Sequence, residues 1–147
     1  MSPSPPESVG SGGLTWVDVT LTEVDRLSTG KYLLLTTYRK DGTAVPTPVW
    51  VARDNDQLVA WSAANAGKVK RIRRDGRVEV APCDVRGTPT GPAVPGMARV
   101  LDEAGTASAK HLIVQKFPLT GRLVLLGSTV RRGPRGSVGI AIEPILD

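Results

Sequence analysis

Apolar positions first recur at helical spacing. Leu21, Val24 and Leu27 share one face, and Thr20 and Glu23 stand as a capping box, each side chain placed to satisfy the other's free backbone N–H. A short helix is predicted from Thr20 to Thr29-Gly30. The pattern then becomes strand-like. Lys31 to Tyr38 (KYLLLTTY) is a dense β-former run, expected to be buried on both faces or nearly so. Arg39-Lys40-Asp41-Gly42 reads as a hairpin turn, with Asp-Gly supplying positive φ. Thr43 to Ala52 is the return strand. Pro46 and Pro48 cannot donate to a ladder, so part of this strand must lie at an edge or a bulge, where backbone groups stay free for a ligand. Arg53 to Asp56 is the next turn and Gln57 to Ser62 the third strand. A small, polar loop, Ala63 to Gly67, leads to two helical turns, Lys68 to Arg74, ended by Asp75-Gly76.

Arg77 to Asp84 and Ala93 to Leu101 read as the fourth and fifth strands, joined by a Gly/Pro/Thr loop. Asp102 to Phe117 is a helix with Ala107, Leu112, Val114 and Phe117 among its apolar positions. Pro118 punctuates it, Leu119 to Val130 is a second helical segment, Arg131 to Gly136 a basic loop, and Ser137 to Ile142 the last strand. Six short strands with tight turns and few helices predict a mainly β, α+β architecture: a compact antiparallel barrel with helices packed outside. Strict βαβ alternation and a Gly-rich dinucleotide fingerprint are both absent.

Composition narrows this picture. The 147 residues suit one domain, read as a disordered tail over 1–13 and a single domain over 14–147. Aromatics are 4%, so the core must be aliphatic. No run approaches the roughly 18 apolar residues of a membrane span. The Ser/Pro/Gly-rich start lacks the features of a secretory signal, and a lone Cys83 supports no internal disulfide, so a cytoplasmic location is expected. The net charge of +5 favours anionic partners, and six basic residues fall between Lys68 and Arg77.

That basic segment is the strongest candidate for chemistry. On a helical wheel Val69 and Ile72 form a packing stripe, Lys68 and Arg71 share one flank of it, and Lys70 and Arg74 point away. The preceding loop offers Ser62, Asn65 and the free N–H groups of a helix start. A helix N-terminus with Lys and Arg suits a phosphate. From these residues alone a solvated basic face is the favoured reading, since charge runs usually just solvate. Trp50 faces core or cofactor, and Thr47 either donates to a ring carbonyl or simply fits a strand. Cys83 reads as buried and inert, and His111 as a surface residue. There is no metal-ligand spacing and no catalytic Ser/His/Asp order.

The chain resembles the flavin/deazaflavin oxidoreductase superfamily, split β-barrels related to pyridoxamine-phosphate oxidase. More narrowly, it resembles the PPOX-class F420-dependent oxidoreductases. The resemblance rests on Tyr32-Leu33-Leu34-Leu35-Thr36-Thr37-Tyr38-Arg39-Lys40-Asp41-Gly42, Val45-Pro46-Thr47-Pro48-Val49-Trp50-Val51, Gly67-Lys68-Val69-Lys70-Arg71-Ile72-Arg73-Arg74-Asp75-Gly76-Arg77-Val78 and Ala81-Pro82-Cys83-Asp84-Val85-Arg86-Gly87. It runs from about Leu21 to Ile142. It implies an FMN-binding-like, homodimeric split barrel. The strand Val45 to Val51, with Thr47, Pro48 and Trp50, would line the deazaflavin or isoalloxazine ring. Lys68 and Arg71 would hold the phosphate, and Trp61, Ser62 and Ala63 would end the strand that meets both. Two departures stand out: Arg71 occupies a position where relatives often carry Asn, and the usual Asp-Pro after the helix is Asp75-Gly76. The implied cofactor is coenzyme F420, with FMN as the alternative. The implied activity is hydride transfer to a small unsaturated molecule, with no catalytic side chain assigned because the cofactor carries that chemistry. Within the scaffold the alternative is an FMN oxidoreductase or cofactor carrier. Outside it stands a basic nucleic-acid-binding module, which has the charge but lacks a stacking platform. No nucleic-acid partner is therefore expected.

Overall fold

The structure, a computed structural model, describes residues 16–117 and 136–145. Its elements follow in the order α1 (Trp16–Ser28), β1 (Tyr32–Tyr38), β2 (Ala44–Asp54), β3 (Gln57–Ala63), α2 (Gly67–Arg74), β4 (Arg77–Cys83), β5 (Val94–Val100), α3 (Glu103–Lys116) and β6 (Ser137–Pro144). The six strands close into one antiparallel barrel, ordered β1-β2-β3-β6-β5-β4. The tail over 1–13, the helical segment expected over 119–130 and the basic loop with Arg131, Arg132 and Arg135 lie outside the described residues.

Strand alternation fills the barrel. Leu33, Leu35 and Thr37 of β1 point inward, opposite Val49, Thr47 and Val45 of β2. Leu58, Ala60, Val78, Val80, Ala98, Ile140 and Ile142 complete an aliphatic interior. β1 is thus buried on one face and half-buried on the other, rather than on both. The helices cap the two mouths. Val24 and Leu27 of α1 enter the core where β1 begins, and Val69 and Ile72 of α2 enter it where β1 ends. α3 lies outside, where Ala109, Ile113 and Phe117 pack on Ala52 and Val59.

The prolines mark a real edge. β3 pairs with β2 only over Val51–Asp54, while β1 pairs with β2 from Ala44 to Trp50. The Val51 N–H points to the β1 side, donating to Lys31 O. Alternation then turns the donor positions of residues 46 and 48 away from β1, to the side that β3 has left. Proline loses no ladder bond there.

Local chemistry departs from the sequence expectation at several points. α1 begins at Trp16, so Thr20 lies inside the helix and is no N-cap; Glu23 pairs with Arg26 instead, at 2.8 Å. The helix is anchored further along, where Val24 and Leu27 enter the core. In the β1–β2 turn only Gly42 has positive φ (89°), and Asp41 contributes a side-chain bond to Thr43 N. The β2–β3 turn shrinks to Asn55-Asp56, with Asn55 left-handed. Ala107 is exposed, while Ala109 carries the α3 packing.

Two contacts hold α3 in place. A Cβ on Gly139 would lie 2.8 Å from the Ala109 Cβ, so the missing side chain on β6 sets how closely the helix approaches. At the other end the Lys116 ammonium donates to three carbonyls: Ser28 at the end of α1, Gly30 just after it, and Val51 on β2 (2.7 Å to Gly30 and 2.8 Å to Val51). It satisfies carbonyls that a helix end leaves open and ties α1, β2 and α3 together. Burial pushes this ammonium down to about 8.

Gly139→Val is expected to cost about 1–3 kcal/mol through overpacking. A denaturant midpoint equal to wild type would contradict the close approach.

Lys116→Met is expected to cost about 1–3 kcal/mol by stripping three carbonyls of their donor. From about pH 8 to 10.5 the unfolded chain binds a proton at Lys116 that the folded chain does not. Wild type should therefore gain stability relative to the Met variant as pH rises through that window. Parallel thermal melts across it test the sign.

Candidate functional site

The basic segment divides once its partners are traced. Toward the C-terminus of α2 the cations are engaged. Arg74 Nη2 donates to Tyr38 O at 2.6 Å, and Arg77 pairs with Asp75 at 2.9 Å, a contact that lowers the Asp75 carboxyl to about 2. Lys70 and Arg73 are exposed. A groove of about 550 Å³ lies on this flank, with Tyr38, Arg74, Asp75, Arg77 and Pro95 in its wall. Both of those arginines are already held, while Arg39, Lys40 and Glu79 add charges of both signs to the same wall.

The N-terminal flank is different. Its N-cap is Ala66, which has no side chain able to cap, and the first turn contains no acid. Among the described residues the Gly67 and Lys68 N–H groups meet no acceptor, and the Lys68 ammonium has no hydrogen-bond or ion-pair partner. Lys68 is half-buried, and desolvation, then the Arg71 charge, push its pKa below the usual lysine value. Arg71 has no acidic partner either; its Nε donates to the buried Thr37 hydroxyl at 2.7 Å. Two cations and the positive end of a helix thus converge with no anion among the described residues.

The strands place the remaining candidates. Thr37 pairs with Val45, and Thr47 lies two residues further along the same inward face of β2. It is half-buried on the stretch that β3 has left, facing the same mouth. Ser62 is buried at the end of β3 and donates to Ala63 O at 3.0 Å; the chain then turns through Ala64–Ala66 into α2. Lys68 and Arg71 therefore lie on the helix that caps this mouth and follows the Ser62–Ala63 strand end, and Thr47 lies two residues along β2 from the partner of Thr37.

Pro48, Trp50 and Trp61 occupy outer faces. Pro48 lies under the loop after β4, where a Cβ on Gly87 would come 3.6 Å from its ring. Trp50 stacks on Phe117 with centroids 4.9 Å apart, and Trp61 packs against the same α3 cluster. The Trp61 Nε1 donor is buried with no partner among the described residues. Strand alternation puts these three side chains on the face opposite Thr47 and Ser62.

Thr37 is the residue that sequence reasoning passed over. Its signal was available: a hydroxyl at the inward register of Leu33 and Leu35 needs a partner. Cys83 is buried, and burial, then Asp84, raise its thiol pKa, which suits an inert packing residue. His111 is exposed. Among the described residues no cluster of His, Cys, Asp and Glu could hold a metal, and no helix is long and apolar enough to cross a membrane.

No family model and no curated protein matches the chain. Solved structures do. A Listeria innocua protein provisionally described as a pyridoxamine 5'-phosphate oxidase is 17% identical; the match covers 87% of this chain and 94% of that one, with a TM-score of 0.59. An F420 reductase is 18% identical over 83% and 92%, with a TM-score of 0.53. HutZ, the haem storage protein of Vibrio cholerae, is 9% identical over 89% and 92%, with a TM-score of 0.60. The chain has the split-barrel fold of the pyridoxamine-phosphate-oxidase-like proteins. Since that fold serves an oxidase-like protein, a reductase and a haem store, the ligand must be argued from the side chains.

Lys68→Met is expected to melt at or above the wild-type temperature, because it removes an unpaired, half-buried charge and keeps the aliphatic stem. A large loss of stability would mean that Lys68 is held by a structural partner.

Proposed function

We propose that this split barrel is an oxidoreductase that binds a phosphate-bearing, flavin-type cofactor, coenzyme F420 first and FMN as the alternative. The observation that carries the reading is the convergence of Lys68, Arg71 and the uncapped start of α2 with no acid among the described residues. In this reading Lys68, Arg71 and the Gly67 and Lys68 N–H groups hold the phosphate. Thr47, on the free stretch of β2, donates to the polar edge of the ring, and the Ser62–Ala63 strand end sets the approach. When bound, the cofactor supplies the hydride that reduces a small unsaturated substrate. The protein binds, orients and excludes water, which requires no catalytic side chain.

A homodimer belongs to this proposal. Among the described residues α3 packs on β2, β3 and β6, whereas the helices that meet β1 and β4 are mainly the mouth-capping α1 and α2. Pro46 and Pro48 are exposed on β2, and Met97 and Ile145 are 45% and 44% exposed on the neighbouring β5–β6 side. A second copy covering this apolar face would complete a cleft for a flat ring. Trp50, Pro48 and Trp61, on outer faces, fit this reading only if ring or partner reaches the outside of the barrel.

The reading is tested by titrating purified protein with coenzyme F420 and with FMN. Lys68→Ala is expected to lose about 10- to 100-fold in affinity, the worth of a roughly 1.5–3 kcal/mol charge-assisted contact, while Lys70→Ala changes little. Equal losses from both would indicate a diffuse basic patch and favour nucleic acid. Sedimentation with cofactor present should give a dimer at micromolar concentration.

Cofactor choice is read from salt dependence. Coenzyme F420 carries a phosphate and a polyglutamate tail, so part of its attraction is long-range and screened beyond about 8 Å at physiological salt. Its affinity should fall with salt more steeply than that of FMN. Tighter FMN binding at every ionic strength would move the assignment to FMN.

A further inference from the structure

We propose that Thr37 and Gly67 are positioning residues that aim the Arg71 guanidinium across the first turn of α2. Thr37 supplies the anchor. Its side chain is 1% exposed on the inward face of β1, and a β-branched residue in a strand has few rotamers. The Arg71 Nε bond to its hydroxyl, at 2.7 Å, therefore fixes the guanidinium to the barrel wall. Gly67 supplies the space. A Cβ at Gly67 would come 2.8 Å from Arg71 Nη1, 3.5 Å from Cζ and 3.6 Å from Nη2. The head of Arg71 thus folds back over the start of its own helix, beside the free N–H groups.

The chemistry of the anchor matters. An Asp or Glu could hold Arg71 equally firmly, but it would cancel the charge. A neutral hydroxyl takes only Nε and leaves the two Nη nitrogens, with the full positive charge, available to an anion. Arg71 also stands close enough to Lys68 to disfavour the Lys68 ammonium. Like charges repel, so an untethered Arg71 would swing toward water and away from Lys68. Thr37 and Gly67 hold together a pair that electrostatics alone would separate.

This inference rests on the phosphate reading, but the anchor can be seen without any ligand. In full-length protein the Arg71 Nε–H resonance should be resolved and slow to exchange with solvent. It should be lost in Thr37→Val and kept in Thr37→Ser, which retains the hydroxyl. An Arg71 Nε–H in wild type that exchanges as fast as a free guanidinium overturns the proposal.

Binding of FMN supplies the second readout. Thr37→Val and Gly67→Ala should each weaken it on the order of tenfold, as expected for losing one well-placed charged contact. Thr37→Ser should stay near wild type. Gly67→Ala is the sharper variant, because Ala is the better helix former. Its melting temperature should hold or rise while its affinity falls, and a merely structural role would not separate the two. Should Thr37→Val fail to fold, Gly67→Ala decides alone. If Lys68→Ala loses binding while Gly67→Ala and Thr37→Val keep it, the positioning role is wrong and the phosphate reading stands. If none of the three changes binding, both fall together.

Discussion

Everything in this molecule follows from a barrel whose ladder closes and whose inside is full. Leu33, Leu35, Val51, Leu58, Val80, Ile140 and Ile142 are all fully buried within it. Close packing of that kind excludes a ligand from the interior. Chemistry is left with the two mouths and the outer wall. α1 seals the mouth where β1 begins, with Lys116 holding three carbonyls at that end. The other mouth is capped by α2, a helix whose buried residues are Val69 and Ile72 and whose surface is almost entirely cationic.

The split gives that second mouth its character. A strand that stayed paired on both sides would present no free backbone. β2 instead parts from β3 beyond Val51, and Pro46 and Pro48 make the parting permanent by removing the donors that would invite another strand. β3 continues alone along β6 and turns through Ala64–Ala66 into α2. The same parting that breaks the ladder therefore leads the chain into the helix whose Arg71 reaches Thr37 on β1. An uncapped N-terminus would be a modest defect on an ordinary surface helix. Here it sits beside two unneutralised cations, and the defects share one sign.

Much of this was legible in the chain. The strands were readable because alternation, Asp-Gly and the prolines each act over a few residues, and the turn types follow from side-chain chemistry at fixed offsets. The basic segment and its wheel were readable for the same reason. What could not be read was which cations stay free. Arg74 is engaged by a carbonyl on β1 and Arg71 by a hydroxyl there, both from strands more than thirty residues earlier in the chain. Lys116 gave no signal at all, since a lysine in the last turn of a helix looks ordinary until the carbonyls of α1 and β2 arrive beside it. The capping-box reading of Thr20 and Glu23 failed because α1 already runs through Thr20 and the Glu23 carboxylate is taken by Arg26. Trp50 was open between core and cofactor from its strand alone, and strand parity places it and Trp61 on the outer wall with Phe117.

Charge bookkeeping at the α2 start bears on ligand class more directly than the fold does. Half-buried cations elsewhere in the fold are engaged, as Arg26 is by Glu23 and Lys116 is by three carbonyls. Lys68 and Arg71 acquire none among the described residues, and Arg71 is tethered by a group that leaves its charge intact. Such an arrangement costs stability in the absence of an anion, because each cation is partly desolvated and repels the other. A haem ligand would ask for an axial donor, and the single His111 stands exposed on α3, away from this mouth. Nucleic acid would be met by exposed cations spread over a face, as Lys70 and Arg73 are, and would not need two of them half-buried. On the proposed reading, a compact phosphate on a planar cofactor would meet the arrangement at its own scale: one anionic group for two cations and a helix end, with the free stretch of β2 beside it.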